Sequence, residues 1–154
     1  MRIDAHGIAA ELPHGWSGRI VRLAGGGATL HAATFTLPLD ASSFGDLSTA
    51  SIPVGGAFFA LTEYLPGTGG LEPGAGLFAS RRFPRPLDPA SFSRRKLAHA
   101  RPGQLATQHF FTTAGRPLCL YVVIAAPPSR GERRDQLARV NRVLASVRVA
   151  PGPG

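Results

Sequence analysis

The sequence predicts an α+β domain, a mainly antiparallel sheet of about six or seven strands with a C-terminal helix packed across one face. Three observations carry this. Residues 106–113 and 118–126 are runs rich in aromatic and β-branched side chains, parted by Ala114-Gly115-Arg116-Pro117, which is a hairpin signal. Both faces of that hairpin are apolar, so it belongs in the middle of a sheet covered on both sides. Residues 129–146 then place Leu137, Val140 and Leu144 at helical spacing behind a capping sequence.

The remaining elements follow in chain order. Ile8, Ala10 and Leu12 alternate and predict a short first strand, and Leu12-Pro13-His14-Gly15-Trp16 makes a turn. Trp16, the only tryptophan, reads as a core plug. Residues 19–23 and 29–37 predict two more strands, joined through Gly25-Gly26-Gly27 into a meander. Residues 38–54 are ambiguous: Asp40 or Ser42 caps a short helix, but Gly45 weakens it. Residues 57–65 predict a strand with Phe59 and Leu61 on one face and Phe58 and Tyr64 on the other. Residues 66–76 hold five glycines and two prolines and read as a loop, with a brief strand at 77–79. Pro84, Pro86 and Pro89 exclude a helix from 83–89. Residues 91–100 fit a strand or a helical turn. The domain spans 1–150, and the tail 151–154 is expected to be disordered.

In the hairpin, Thr113 is expected to face Leu118 and Phe111 to face Leu120. Period-2 geometry then puts His109, Phe111, Leu118, Leu120, Val122 and Ile124 on one face and Phe110, Cys119, Tyr121 and Val123 on the other. Pro127-Pro128 ends the strand. Ser129 and Glu132 stand three apart, as in a capping box. Val143 and Val147 flank the helix's apolar stripe. Asp135, Arg139 and Arg142 fall opposite it, with Asp135 and Arg139 as an i,i+4 pair. Burying each apolar side chain is worth roughly 1.5–3 kcal/mol, against ~1 kcal/mol for the cap, so packing decides the helix.

The longest apolar run, 118–126, is far too short to span a membrane. Met1-Arg2-Ile3-Asp4 is not followed by an apolar stretch of secretory type, and a lone cysteine forms no internal disulfide. Both points predict a cytoplasmic protein without membrane association. Net charge is +8, and 16 of the 17 basic residues are arginine. Residues 1–75 carry three basic and six acidic groups, while residues 76–154 carry 14 basic and three acidic. The sharpest cluster is Arg81, Arg82, Arg85, Arg94, Arg95, Lys96 and Arg101, opposed only by Asp88.

That cluster is the leading functional candidate. Guanidinium groups make bidentate contacts with carboxylate or phosphate, and Phe83 and Phe92 interleave with it as on nucleic-acid platforms. An acidic protein partner, a nucleic acid and a plain solvated loop all fit the pattern. No RNA-binding signature or helix-turn-helix spacing accompanies it.

Other constellations read as structure. Cys119 and His109 would need to lie within ~3 Å to act as nucleophile and base, yet the register sends them to opposite faces, where Cys119 acts as a small hydrophobe. His6, His14, His31, His99 and His109 show no metal-ligand spacing. The glycines of 67–76 lack the Lys and Ser/Thr of a phosphate loop. The nine acids are dispersed and offer no catalytic pair. Asn141 reads as a polar edge residue. No cofactor or metal is implied.

The Pro-x-Gly-Trp turn at 13–16, with a terminal helix closing as Leu144-Ala145-Ser146-Val147, resembles the PsbP-like family. The likeness covers the two ends of the chain; the central basic stretch has no counterpart. The chain also resembles small proteins of GC-rich bacteria. The resemblance implies a mostly antiparallel sheet between helical layers. It also implies binding to other proteins, as by the superfamily's nuclear-import factor for the GTPase Ran, with no catalytic residues to carry over.

The functional expectation is therefore a non-enzymatic cytoplasmic adaptor that offers residues 81–101 to an acidic protein surface. Weak nucleic-acid binding through the same residues is the second reading. A ligand carrier or enzyme with a pocket between sheet and helix is the third. The oligomeric state stays open.

Overall fold

The computed structural model describes residues 1–65, 72–125 and 129–152. Its strands are β1 (Arg2–Ala5), β2 (Ile8–Glu11), β3 (Ser17–Arg22), β4 (Ala28–Ala33), β5 (Ala57–Glu63), β6 (Gln104–Thr113), β7 (Arg116–Ala125) and β8 (Arg148–Val149), with one helix, α1 (Arg130–Ser146). The class is α+β, as expected, but the single sheet of six or seven strands is corrected. Among the described residues, eight strands form two antiparallel sheets, one ordered β3-β4-β5-β7-β6 and one ordered β1-β2-β8.

The expected meander of the first three strands also splits. His6 and Gly7 take positive φ, 54° and 80°, so a two-residue turn folds β1 onto β2 with Ala5 opposite Ile8. That hairpin leaves the main sheet and is completed by β8. Only β3 and β4 remain neighbours in the larger sheet.

The 106–126 hairpin is central to the fold, though its turn is tighter than expected. Ala114 and Gly115 have φ of 52° and 72° and form the whole turn, so Thr113 faces Arg116 and Phe111 faces Leu118. The register moves by two residues. Period-2 geometry leaves each side chain on its expected face.

One face of the five-stranded sheet meets α1, the small sheet and the proline-rich segment. Phe59, Leu61, Leu120, Val122 and Ile124 pack there against Leu137, Val140, Val143 and Leu144, with Ile8, Leu12 and Trp16 closing the side. The Trp16 ring lies 6.3 Å from Phe59, as a core plug should. Ser129 accepts a hydrogen bond from the Glu132 N–H at 3.1 Å, which is one half of the expected capping box. Asp135, Arg139 and Arg142 are exposed, as expected. Gln136, a polar residue, lies buried on the apolar stripe and donates to the carbonyls of Gly56 and Ala125.

Among the described residues the opposite face carries no α-helix. Phe35, Leu37, Phe44 and Ile52 cover it from an irregular segment that includes a 3₁₀ turn, Thr49–Ser51. Asp40 organises this cover rather than capping a helix. Its carboxylate accepts from the N–H groups of Ser42, Leu47 and Ser48 and from both serine hydroxyls. Burial alone would raise the carboxyl's pKa, but these donors hold it well below its usual range.

A buried ion pair ties the two sheets together. Arg116 Nε and Nη2 donate to Glu63 at 2.7 and 3.1 Å, and its other donors reach the carbonyls of His6 and Ala150. Gly7 leaves room for the guanidinium: a Cβ there would stand 2.5 Å from Arg116 Nη1. The expected strand at 77–79 is instead the 3₁₀ turn Gly76–Phe78. Most of the expected glycine loop and Pro127-Pro128 lie outside the described residues, as does the end of the tail.

Candidate protein-binding surface

From Phe78 to Leu97 an apolar residue recurs every four or five positions: Phe78, Phe83, Leu87, Phe92, Leu97. The prolines at 84, 86 and 89 forbid a helix, so the spacing pins an irregular ribbon to the domain instead. Phe78, Leu87 and Phe92 are buried. Phe83 packs its ring 4.9 Å from Phe111, and Leu97 crosses to the far face beside Tyr121. Residues 91–100 are neither strand nor α-helix; they continue two 3₁₀ turns, Pro89–Ser91 and Arg94–Lys96, joined at Ser93.

Polar anchors fix the ribbon between these plugs. Ser80 accepts from the Thr112 N–H, and Ser93 exchanges two backbone hydrogen bonds with Ala106, so both ends are held on β6. Asn141 is not a bystander on the helix edge. Its Oδ1 accepts from the Leu87 N–H at 2.7 Å and its Nδ2 donates to the Leu87 carbonyl at 3.2 Å. The Tyr121 hydroxyl accepts from the Ala98 N–H at 2.8 Å.

The seven basic residues then divide. Arg81, Arg82, Arg94, Arg95 and Lys96 are exposed. Arg101 is half-buried before the turn into β6. Arg85 turns inward: Nη1 donates to the carbonyls of Leu144 and Val147 at 2.6 and 2.8 Å, and its guanidinium lies 4.2 Å from the Phe83 ring centre. It thus satisfies carbonyls at the negative end of the helix dipole. Burial, and then the charge of Arg148, lower its pKa. Arg85 holds the surface in place and is not part of it.

The aromatic platform expected between the arginines is also spent. Phe92 is buried in the main core, and the half-buried Phe83 packs against Phe111 and lies under the Arg85 guanidinium, so neither ring is free to stack on a base. His109, the candidate base for Cys119, stands instead beside Arg82, Asp88 and Ser91 in a small surface groove. Its pKa is lowered by burial and then by Lys96.

No family model, curated protein or solved structure matches this chain. The site therefore rests on its own geometry.

The other candidates fall where the sequence put them, or further from chemistry. Cys119 pairs with Phe110 and is buried, and His109 pairs with Leu120 on the other face. Burial pushes the Cys119 thiol up to about 12, so it is uncharged near neutrality. His31 lies in the far-face core against Phe58 at 5.2 Å, and burial lowers its pKa despite the nearby Asp40. Among the described residues no three His, Cys, Asp or Glu side chains gather as a metal site. No helix among them is long and apolar enough to cross a membrane. Apolar side chains fill the space between sheet and helix. An open groove of about 910 Å³ lies between Arg19–Gly26 and Leu39–Ser43 on the surface.

Proposed function

We propose that this chain is a non-enzymatic cytoplasmic binding protein that presents Arg81, Arg82, Arg94, Arg95 and Lys96 to an acidic surface on another protein. The observation that carries the reading is the division of labour along one ribbon. Apolar plugs and the Arg85 and Asn141 anchors immobilise the backbone, while five cationic heads remain exposed. A surface held rigid before binding loses less entropy on association, and its positive field speeds encounter with an acidic partner. Asp88, the one acid within the cluster, accepts from the Ala90 N–H and caps a 3₁₀ turn. The burial of Phe92 and the cover of the Phe83 ring by Arg85 and Phe111 favour a protein partner over a single-stranded nucleic acid. The PsbP-like resemblance supports a protein-binding role and remains part of this proposal.

Affinity capture from nuclease-treated lysate tests the reading, with wild type set against the Arg81→Ser, Arg82→Ser, Arg94→Ser, Arg95→Ser variant. An acidic protein retained by wild type and lost by the variant is the expected result. Equal retention by both would remove the proposal.

A further inference from the structure

β6 is the edge strand of the larger sheet, and its outer rim is covered only at its ends. The two-residue turn makes Thr113 and Arg116 a hydrogen-bonded pair. Odd-numbered residues of β6 therefore direct their N–H and C=O groups to β7, and even-numbered ones direct theirs outward. The outward bonds agree: the N–H of Gln104 reaches Arg101, that of Ala106 reaches Ser93, and that of Thr112 reaches Ser80. Gln108 and Phe110 lie between these anchors, and among the described residues their outward backbone groups have no partner. Burial changes at the same place. Residues 108–110 are half-exposed, while Ala106, Thr107, Phe111 and Thr112 are buried. The ribbon leaves the rim after Ser80, crosses the helix side of the sheet, and regains the rim at Ser93. The gap from Ala106 to Thr112 is about 20 Å at ~3.4 Å per residue.

We infer that this gap takes an extended acidic peptide from the partner protein, added antiparallel to β6 as a further strand. The inference rests on the acidic-partner reading above and supplies its mode of recognition. Charge selects the occupant. Arg81 and Arg82 follow the Ser80 anchor, and Arg94, Arg95 and Lys96 follow the Ser93 anchor, so cations stand at both ends. The two faces flanking the gap differ. Phe110, with Tyr64 and Phe78, offers an apolar side, whereas Arg82 and His109 line the other. A strand alternating acidic and apolar side chains meets both requirements. In antiparallel pairing the peptide residues bonded to Gln108 and Phe110 project onto the Phe110 face and are therefore the apolar ones.

The test is fluorescence anisotropy with a labelled Glu-Val alternating octapeptide and two versions N-methylated at either the two central Val or the two central Glu amides. All three carry the same charge. Methylation at Val is expected to weaken binding about tenfold or more, and methylation at Glu to leave it unchanged. In parallel, the amides of Gln108 and Phe110 should exchange hydrogen fast in the free protein and slow on saturation with the parent peptide. Equal binding of all three peptides, lost together in the Arg/Lys→Ser variant at 81, 82, 94, 95 and 96, would overturn strand addition and leave the acidic-partner reading standing. Failure of wild type to bind any of them would overturn both.

Discussion

Replacing Arg85 with Met separates an anchor from the surface it holds. Arg85 donates two hydrogen bonds to the carbonyls of Leu144 and Val147 and covers the Phe83 ring. A hydrogen bond from a charged group is worth roughly 1.5–3 kcal/mol at full burial. Arg85 is only half-buried, so the lower end applies and the two bonds do not add fully. The helix-end interaction supplies roughly 0.3–1 kcal/mol and the ring contact roughly 0.5–1 kcal/mol. Methionine keeps the stem's packing. The loss is expected to be about 2–3 kcal/mol, or roughly 4–12 °C in Tm for a domain of this size. Arg82→Ser, at an exposed position, should stay within about 0.5 kcal/mol. Urea denaturation of both variants is the assay, and hydrogen exchange should show residues 81–92 loosened only in Arg85→Met. Equal stability of the two variants would refute the division of the cluster into anchor and surface.

Arg116→Met should cost roughly 3–5 kcal/mol in urea denaturation, because Glu63 is left charged in a site that is 12% exposed; Glu63→Met added to it should recover part of that loss. Gly7→Ala should destabilise by thermal melting, since its φ of 80° disfavours a side chain and the new Cβ meets Arg116. Acid should weaken the fold in two stages. His31, its pKa lowered by burial, is neutral in the folded state, so its contribution is complete above 6.5 and falls as pH drops below that value. Glu63 and Asp40 have depressed folded values, so theirs is complete above their ordinary values of 4.5 and 3.8 and falls below them; a flat melting temperature from pH 7 to pH 3 would contradict this. The folded protein should resist iodoacetamide at pH 8, because the Cys119 thiol is buried and its pKa stands at about 12; modification before unfolding would refute the buried placement.

Which features could be read from residue order follows from the range of the interactions involved. Side-chain alternation is local, so residue order sorts the two faces of the 106–126 hairpin correctly, although the turn it suggests is two residues longer than the observed one. The helix was visible for the same reason, from Ser129 to Leu144. The two-residue turns at His6-Gly7 and Ala114-Gly115 are not legible because positive φ is uncommon for residues other than glycine, and neither pair is a standard turn sequence. The split into two sheets was invisible because β8 is only Arg148–Val149, too short to show a period. Asp40 shows the limit from the other side. A carboxylate before serines reads as a helix cap, and here the same donors fold a loop, which local chemistry alone does not distinguish.

The basic cluster makes the point for function. Counting charges along 81–101 gives seven equivalent groups, and the fold makes them unequal. Arg85 and Asn141 have partners 54–62 positions away in the chain, so nothing in their neighbourhood marks them as anchors. Phe83 and Phe92, read beside arginines, look like stacking rings; their regular spacing with Phe78, Leu87 and Leu97 marks them as plugs. That spacing was in the sequence, but it matches neither 2 nor 3.6 and belongs to no regular element. A ribbon pinned at such intervals is how a proline-rich stretch acquires one conformation without secondary structure. It also explains why the bare rim of β6 matters. The same plugs that draw the ribbon over the helix side take it off the edge between Ser80 and Ser93. The exposed cations and the unpaired strand are therefore two consequences of one packing pattern.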